Sequence, residues 1–259
     1  MHNKEIYLKR MKIGMYDKCW WVDKIYPEVD TVVDFGCADG TLWEAIKVLC
    51  PQITTYYGIE NNEEFFDALD AKSIQHYSTI EELPQNLDWN RTIAVMNSVV
   101  HEIFSYQGET AFKDLLKKIQ EFGVRHIAIR DMCLNAEECF YLKSANDFFY
   151  EAICNSPYKK LFIKDCCHSV PAFYKNIFYQ MEFFLKYTYK ENWDRECAEQ
   201  YLWDWPDYII SPAGMSMRIE VNQPFRIVPQ IRQIEKDFGI KFPEFLNTHR
   251  KTTNENENK

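Results

Sequence analysis

The first half of the chain alternates between two hydrophobic periods. Short apolar and β-branched runs, which are typical of buried strands, lie at 31–35, 54–59, 92–100 and 126–132. Between them, apolar residues recur every three or four positions, as over residues 112–119, and this spacing is typical of one face of a helix. Strands that alternate with helices predict a parallel sheet with helices on both faces. We therefore expect an α/β, doubly wound, mostly parallel sheet of seven strands.

The pattern changes after residue 133. Residues 134–205 have mostly helical periodicity, and 19 of the chain's 41 aromatic residues lie between residues 140 and 205. We expect this segment to be a helical insertion that covers a substrate. Residues 206–248 contain β-type runs interrupted by prolines, which indicates a part that rejoins the edge of the sheet. Residues 249–259 contain no core residue, so we expect a disordered tail after a first domain at 1–133.

Charge and cysteine content narrow the class of protein. A net charge of −9 and a pI near 5.3 argue against a protein that coats nucleic acid through charge. Nine cysteines with irregular spacing and no C-x-x-C pair indicate reduced thiols. The first residues are charged and form no apolar signal segment, and no apolar run is long enough to span a bilayer. We expect a cytoplasmic protein with no membrane partner, whose oligomeric state the sequence leaves open.

One group of adjacent metal-ligand types occurs, at Cys166, Cys167 and His168. Adjacent cysteines cannot easily bind one tetrahedral ion, and no second cluster accompanies them. We therefore expect buried thiols there and no metal site in the chain.

The segment DFGCADG at residues 34–40 lies directly between the first predicted strand and its helix. Gly36 allows a sharp turn and Gly40 allows close approach of a ligand to the backbone. The spacing differs from the G-x-G-x-x-G pattern that binds dinucleotides. The acidic residues Asp34 and Asp39 suit a ligand with a positively charged amino group, and Glu60 ends the second strand where it can accept ribose hydroxyls. These features favour S-adenosylmethionine as the cofactor over NAD, FAD or ATP.

The same stretch resembles a known family. VVDFGCADG followed by YYGIEN resembles motif I and the acidic residue after it in class I S-adenosylmethionine-dependent methyltransferases. STIEELP and IAVMNSVVHEI are similar to the next segments of that family, and the resemblance covers residues 15–132. The chain is also similar to uncharacterised bacterial methyltransferase-like proteins that share HEI, IRDM and KYTYKENWDRE. Ala38 departs from the family, since many members have glycine there.

The resemblance implies a Rossmann-like fold, a transferase activity and a set of cofactor-binding residues. The methionine part of the cofactor would be bordered by Asp34, Gly36, Cys37 and Gly40. The ribose would lie at Glu60, the adenine beside Asn61, and the sulfonium near Asn97.

Four residues at the ends of the fourth and fifth predicted strands are candidates for catalysis. His101 and Glu102 follow the fourth strand, where a histidine suits a general base for a hydroxyl or nitrogen acceptor. The alternative is that His101 caps the next helix or packs on the strand. Arg130 and Asp131 follow the fifth strand and could bind a carboxylate or phosphate and a donor group of the substrate. The alternative there is an internal Arg–Asp ion pair.

The aromatic insertion contains a third group of candidates. As a lid, it could stack on a flat acceptor through some of the residues Lys186, Tyr189, Asn192, Trp193 and Arg195. The alternative is that the aromatic residues form core and that the charged residues form a solvated face of a helix.

The function that we expect is methyl transfer from S-adenosylmethionine, in line, to a small-molecule or nucleotide-like acceptor. One alternative is a non-catalytic S-adenosylmethionine sensor or partner-binding module. Another is an enzyme that uses the same cofactor for non-methyl chemistry on a nucleotide. The sequence identifies neither the acceptor nor its accepting atom.

Overall fold

The structure, a computed structural model, describes residues 14–134, 136–165, 176–203, 217–225, 227–244, 246 and 249–256. Its strands are β1 (Thr31–Phe35), β2 (Thr55–Ile59), β3 (Gln75–Tyr77), β4 (Thr92–Asn97), β5 (His126–Leu134), β6 (Leu202–Trp203), β7 (Met217–Phe225) and β8 (His249–Asn256). Cys166, Cys167 and His168 lie outside the described residues.

The helices follow the strands in alternation through the first half of the chain. They are α1 (Met15–Lys18), α2 (Thr41–Leu49), α3 (Phe66–Ala71), α4 (Val100–Gln107), α5 (Glu109–Glu121), α6 (Ala136–Tyr141), α7 (Asn146–Asn155), α8 (Lys159–Asp165), α9 (Ile177–Tyr187), α10 (Trp193–Ala198) and α11 (Val228–Phe238). Short 3₁₀ turns occur at Glu63–Phe65, Ile80–Glu82, Trp89–Arg91, Lys143–Ala145 and Lys190–Asn192. None of the helices in the described part of the chain has both the length and the apolar character that spanning a bilayer requires.

The sheet has the order β3-β2-β1-β4-β5-β8-β7, and the short strand β6 pairs with β5. The five strands β3, β2, β1, β4 and β5 are parallel, with Thr31 of β1 in register with Thr55 on one side and Thr92 on the other. This confirms the predicted α/β class and parallel core. The described sheet contains eight strands, so the expected count of seven is not confirmed.

The chain divides into two compact units. The sheet unit contains the described residues 14–131, 217–222 and 251–256. The aromatic unit contains the described residues of 132–205 and of 223–250. Each unit has a core of its own, and the two cores differ in composition.

The core of the sheet unit is mainly aliphatic. All five residues of β1 and all six of β4 are buried, as expected for central parallel strands with helices on both faces. Leu42 and Ile46 of α2 lie one helical turn apart and are buried in the same cluster. This cluster supports the strand ends from which the candidate site is built.

Aromatic rings make up nine of the twenty residues in the core of the aromatic unit. Helix α9 is buried over almost its whole length, including the polar residues Glu182 and Lys186, which form an ion pair with each other. Phe183 of α9 is fully buried and packs against the rings of Phe162, Phe184, Trp193 and Phe238. Much of the aromatic enrichment in the sequence is therefore structural core.

Two predicted elements differ from the structure. The run at 92–100 is a strand only to Asn97, because Ser98 has a φ of +59° and α4 begins at Val100. The expected disordered tail at 249–259 instead includes strand β8 over His249–Asn256. Pairing in a sheet uses backbone N–H and C=O groups, so a segment without core side chains can still join a sheet.

Candidate functional site

The strand order places the loops after β1 and β4 next to each other. From β1 the chain proceeds to β2 and β3 on one side, and then returns to β4 and β5 on the other side. At such a reversal of strand order, the carboxyl ends of the two central strands open into a crevice that binds ligands in this class of fold. The predicted site residues Asp34, Gly36 and Asn97 lie at these two strand ends.

The turn after β1 is tight and conformationally demanding. Gly36, Ala38 and Gly40 have φ angles of +69°, +48° and +67°, in the left-handed region that favours glycine. A Cβ atom at Gly36 would lie 2.8 Å from Cγ2 of Val99, and one at Gly40 would collide with Ile74. The turn thus packs closely against Val99 and Ile74, and Ala38 holds an unfavourable conformation within it.

Glu60 ties this turn to the end of β2. Its Oε2 accepts a hydrogen bond from the Ala38 N–H at 2.9 Å, and its Oε1 accepts one from the Asn62 N–H at 2.8 Å. Each carboxylate oxygen can accept a further hydrogen bond, since each has two lone pairs. The buried Glu60 therefore shapes the turn and can also receive hydroxyl donors from a ligand.

The two acidic residues of the turn have different environments. Asp34 is buried within β1 and accepts a hydrogen bond of 2.5 Å from the hydroxyl of Tyr56. Burial raises the pKa of Asp34 to about 7, against the lowering effects of Tyr56 and of the nearby Lys18 ammonium. Asp39 caps α2 by accepting from the Thr41 N–H and hydroxyl, and it forms an ion pair with Lys72. Because the pKa of Asp34 is close to 7, a cationic ligand bound beside it could shift Asp34 to its charged form.

Cys37 and Asn61 occupy opposite environments. Cys37 is buried, its pKa is raised by that burial, and a Cβ atom at Gly58 would lie 2.5 Å from its sulfur. Its thiol is therefore neutral and packed against the backbone of β2. Asn61 is exposed beside Glu60, while its neighbour Asn62 caps the following 3₁₀ turn by accepting from the Glu64 N–H.

The end of β4 carries a polar side chain with an unused donor. Asn97 is 7% exposed, and its Nδ2 has no hydrogen-bond partner among the described residues. In the sheet, Asn97 is in register with Arg130 of β5. A buried amide without an acceptor is costly, so this group is a candidate for ligand contact.

His101 and Asp131 form a buried pair. Nδ1 of His101 lies 2.6 Å from Oδ1 of Asp131, and the backbone N–H of His101 donates to Oδ2 of Asp131 at 3.1 Å. The side chains are 3% and 0% exposed. The Asp131 carboxylate accepts both hydrogen bonds, and these fix the first turn of α4 and the orientation of the imidazole. Glu102, the next residue of α4, is half-buried.

Arg130 contacts Asp17 and Ser98, on other elements of the sheet unit. Its Nε donates to Oδ2 of Asp17 on α1 at 2.9 Å, and Nη1 lies 3.4 Å from the hydroxyl oxygen of Ser98. Successive residues of a strand point to opposite faces, which explains why Arg130 and Asp131 have different partners. Sequence reasoning missed Asp17 and its neighbour Lys18, since nothing in α1 marks them as part of this site.

The five candidate substrate residues lie in the aromatic unit, mostly in contacts within that unit. Lys186 forms a buried ion pair with Glu182 at 3.1 Å, and Arg195 donates to Glu199 at 2.7 Å. The Tyr189 hydroxyl accepts from Gln230 at 3.0 Å, and Trp193 packs edge-on against Phe183. Oδ1 of Asn192 and Nε1 of Trp193 are buried and have no partner among the described residues. These contacts do not test the predicted substrate role, which stays a prediction.

Comparisons with known proteins identify the fold of the chain. No protein-family model matches the sequence, and no curated protein matches it either. Among solved structures, geranyl diphosphate C-methyltransferase from Streptomyces coelicolor A3(2) aligns with a TM-score of 0.55 and 10% identity, covering 98% of this chain and 83% of that one. The plantazolicin methyltransferase BpumL aligns with a TM-score of 0.46 and 13% identity, covering 97% and 88%. The first of these similarities confirms that the chain has the fold of class I S-adenosylmethionine-dependent methyltransferases.

Proposed function

We propose that the protein is a methyltransferase that uses S-adenosylmethionine and acts on a small-molecule or nucleotide-like acceptor. The observation that carries this proposal is the pairing of the left-handed turn after β1 with Glu60, whose carboxylate accepts from Ala38 and Asn62. This acidic arrangement at the strand reversal suits the hydroxyls and the amino group of the cofactor better than it suits a pyrophosphate. The acidic turn lies in a fold that the methyltransferases share.

The residues present fit the cofactor at both of its ends. Glu60 would accept from the ribose hydroxyls, and Asp34 would accept from the amino group. The absence of a Cβ atom at Gly36 and Gly40 lets the turn pack closely against Val99 and Ile74, and Asn97 would lie near the sulfonium. Cys37 and Gly40 would border the methionine part, and Asn61 the adenine. When bound, S-adenosylmethionine supplies a methyl group on a sulfonium, and the protein has to align the acceptor with it.

His101 would act as the general base. If the Nδ1–H donates to Asp131, then Nε2 keeps its lone pair and can take a proton from a hydroxyl or nitrogen acceptor. Asp131 would hold the imidazole in that tautomer and orientation, as carboxylates do in other histidine-dependent sites. Burial of the pair keeps water away from the transferred proton. Glu102 and Arg130 would complete the polar surroundings of the acceptor.

The test begins with binding. Titration calorimetry with S-adenosylmethionine, S-adenosylhomocysteine, NAD and ATP should give micromolar binding of the first two alone. The variant Glu60→Ala should weaken that binding by roughly 1.5–3 kcal/mol, because charged hydrogen bonds are lost. Glu44→Ala, which removes an exposed carboxylate from α2, is the matched control and should bind as wild type does. Unchanged affinity in Glu60→Ala would remove the assignment of the ribose site.

Turnover separates an enzyme from a sensor. With labelled S-adenosylmethionine and a fractionated pool of metabolites, His101→Ala should reduce methyl transfer by about 10²- to 10⁴-fold and leave cofactor affinity unchanged. His76→Ala, in β3 of the same unit, should retain activity. If the wild-type protein binds S-adenosylmethionine but transfers a methyl group to none of the fractions, a sensor would be favoured. A product that retains the adenosyl or aminocarboxypropyl part would indicate non-methyl chemistry.

A further inference from the structure

Positively charged side chains gather at one end of the sheet unit, where β4 and β5 end beside α1. Arg130 at the end of β5 donates to Asp17, and Lys251 of β8 binds the other oxygen of the same carboxylate. Lys18 follows Asp17 on α1 and is buried. Two cations therefore share Asp17, and a third lies next to it in the chain.

This end differs in charge from the neighbouring strand ends. The carboxylates Asp34, Asp39 and Glu60 lie at the ends of β1 and β2, the Arg130 guanidinium lies at the end of β5, and Lys18 interacts with charges of both groups. Arg130 is 6% and Lys18 is 7% exposed. Burial, and next the charge of Arg130, lower the pKa of Lys18 to about 8, whereas the charges of Asp34 and Asp39 raise it. Bringing buried cations together is costly unless anions offset their charge.

A second, independent feature lies at the same point. The Nδ2 donor of Asn97 is buried without a partner among the described residues, and Asn97 is in register with Arg130. Ser98, the next residue, has the strained φ of +59° and places its hydroxyl oxygen near Arg130. Strained backbone and unsatisfied polar atoms concentrate at ligand sites in folded proteins.

We propose that Arg130, Lys18 and Asn97 form a subsite for an anionic group, a carboxylate or a phosphate, of the methyl acceptor. The inference rests on the proposed function and narrows its substrate to an anion-bearing molecule. A guanidinium presents donors in a plane that matches the oxygens of either anion, and the ammonium and amide add single donors. The anion would offset the local positive charge and give Asn97 an acceptor. The carboxylate of the cofactor itself is the other source of the same chemistry, and the experiment separates the two.

The experiment measures anion binding by titration calorimetry at constant ionic strength. The probes are inorganic phosphate and benzoate, with benzamide as the neutral match for benzoate. They are titrated into the free protein and into the protein saturated with S-adenosylhomocysteine. We expect phosphate, benzoate or both to bind in both states, and benzamide not to bind. Arg130→Gln should lower the affinity for the anion by about tenfold or more, while the affinity of this variant for S-adenosylhomocysteine should stay unchanged.

Control variants keep the result interpretable. Arg91→Gln removes another arginine of the same unit, one that pairs with Asp30 at the amino ends of the strands, and should not change anion binding. Asn97→Ala should lower the affinity for the anion by roughly threefold to tenfold without removing a charge. If Arg130→Gln fails to fold, the same anion titrations are made with Asn97→Ala and Lys18→Met instead.

Three outcomes would overturn the subsite for the acceptor. Equal anion affinity in wild type and in the folded variants would show that these residues do not bind it. Failure of the wild-type protein to bind either anion would do the same. Competition between S-adenosylhomocysteine and the anion, with a matching loss of S-adenosylhomocysteine affinity in Arg130→Gln, would assign the subsite to the cofactor. Failure to bind S-adenosylhomocysteine at all, with anion binding that still depends on Arg130, would instead overturn the proposed function and leave an anion site.

Discussion

The sheet unit and the aromatic unit bury their polar side chains in different ways. In the aromatic unit, Lys186 pairs with Glu182 one helical turn away, and the buried Tyr201 hydroxyl donates to Glu196. Those groups have partners within the unit, although the buried Asn192 Oδ1 and Trp193 Nε1 have none among the described residues. At the strand ends of the sheet unit, Asn97 has a donor without a partner among the described residues, and Ala38 holds a left-handed backbone.

The difference separates a stabilising region from a region with the features of a binding site. Ring packing removes a large apolar area from water and favours one well-defined core. Backbone strain and unsatisfied donors reduce stability, so they persist only where the surrounding fold enforces them. Two of the left-handed non-glycine residues, Ala38 and Ser98, lie in the turns after β1 and β4, at the reversal of strand order where we place the proposed site.

The largest expected effect is in the aromatic unit. Phe183→Ala removes a fully buried ring that contacts five other aromatic side chains, and it should lower the free energy of unfolding by about 3–5 kcal/mol. Phe140→Ala removes a ring that is 66% exposed and should change the free energy of unfolding by less than about 0.5 kcal/mol. Urea unfolding followed by circular dichroism measures both. A small loss for Phe183→Ala would mean that the rings do not form a tightly packed core.

The second prediction concerns Asp34 and its dependence on pH. Its pKa is near the ordinary 3.8 in the unfolded chain and is raised to about 7 in the folded protein, so the unfolded chain binds fewer protons between these values. The contribution of Asp34 therefore lowers stability as the pH rises from about 4 to 7, by up to about 4 kcal/mol, and levels off above pH 7. Asp34→Asn cannot titrate and should lack this slope. Urea unfolding of both proteins from pH 4.5 to pH 8 tests it, and parallel curves would contradict the prediction.

The smallest expected effect lies in the turn itself. Ala38→Gly relieves a left-handed conformation but adds freedom to the unfolded chain, so it should stabilise the protein by about 1 kcal/mol or less. Ala45→Gly, inside helix α2, is the matched control and should destabilise by about 1 kcal/mol. Opposite signs for the same chemical change would locate the strain at residue 38. A loss of stability in Ala38→Gly would show that no strain is stored there.

The sequence by itself determined the local features of this protein. The periodicity of residues 31–132 identified strands β1, β2, β4 and β5 but not the short β3, and DFGCADG with Glu60 identified a turn and an acid at the ends of two neighbouring strands. These predictions succeeded because the hydrophobic period and the turn chemistry act over short distances along the chain. The aromatic content of 134–205 was equally visible, but its role was not, since composition alone does not distinguish a core from a lid.

Only the tertiary structure decided which charged groups meet. Arg130 binds Asp17 at a separation of 113 residues, Lys251 binds the same carboxylate from 234 residues away, and Asp131 orients His101. The alternation of side chains along β5 separates Arg130 from Asp131, and the strand order brings the ends of β4 and β5 together. Contacts of this kind depend on how distant segments pack, and no pattern in the neighbouring sequence specifies them.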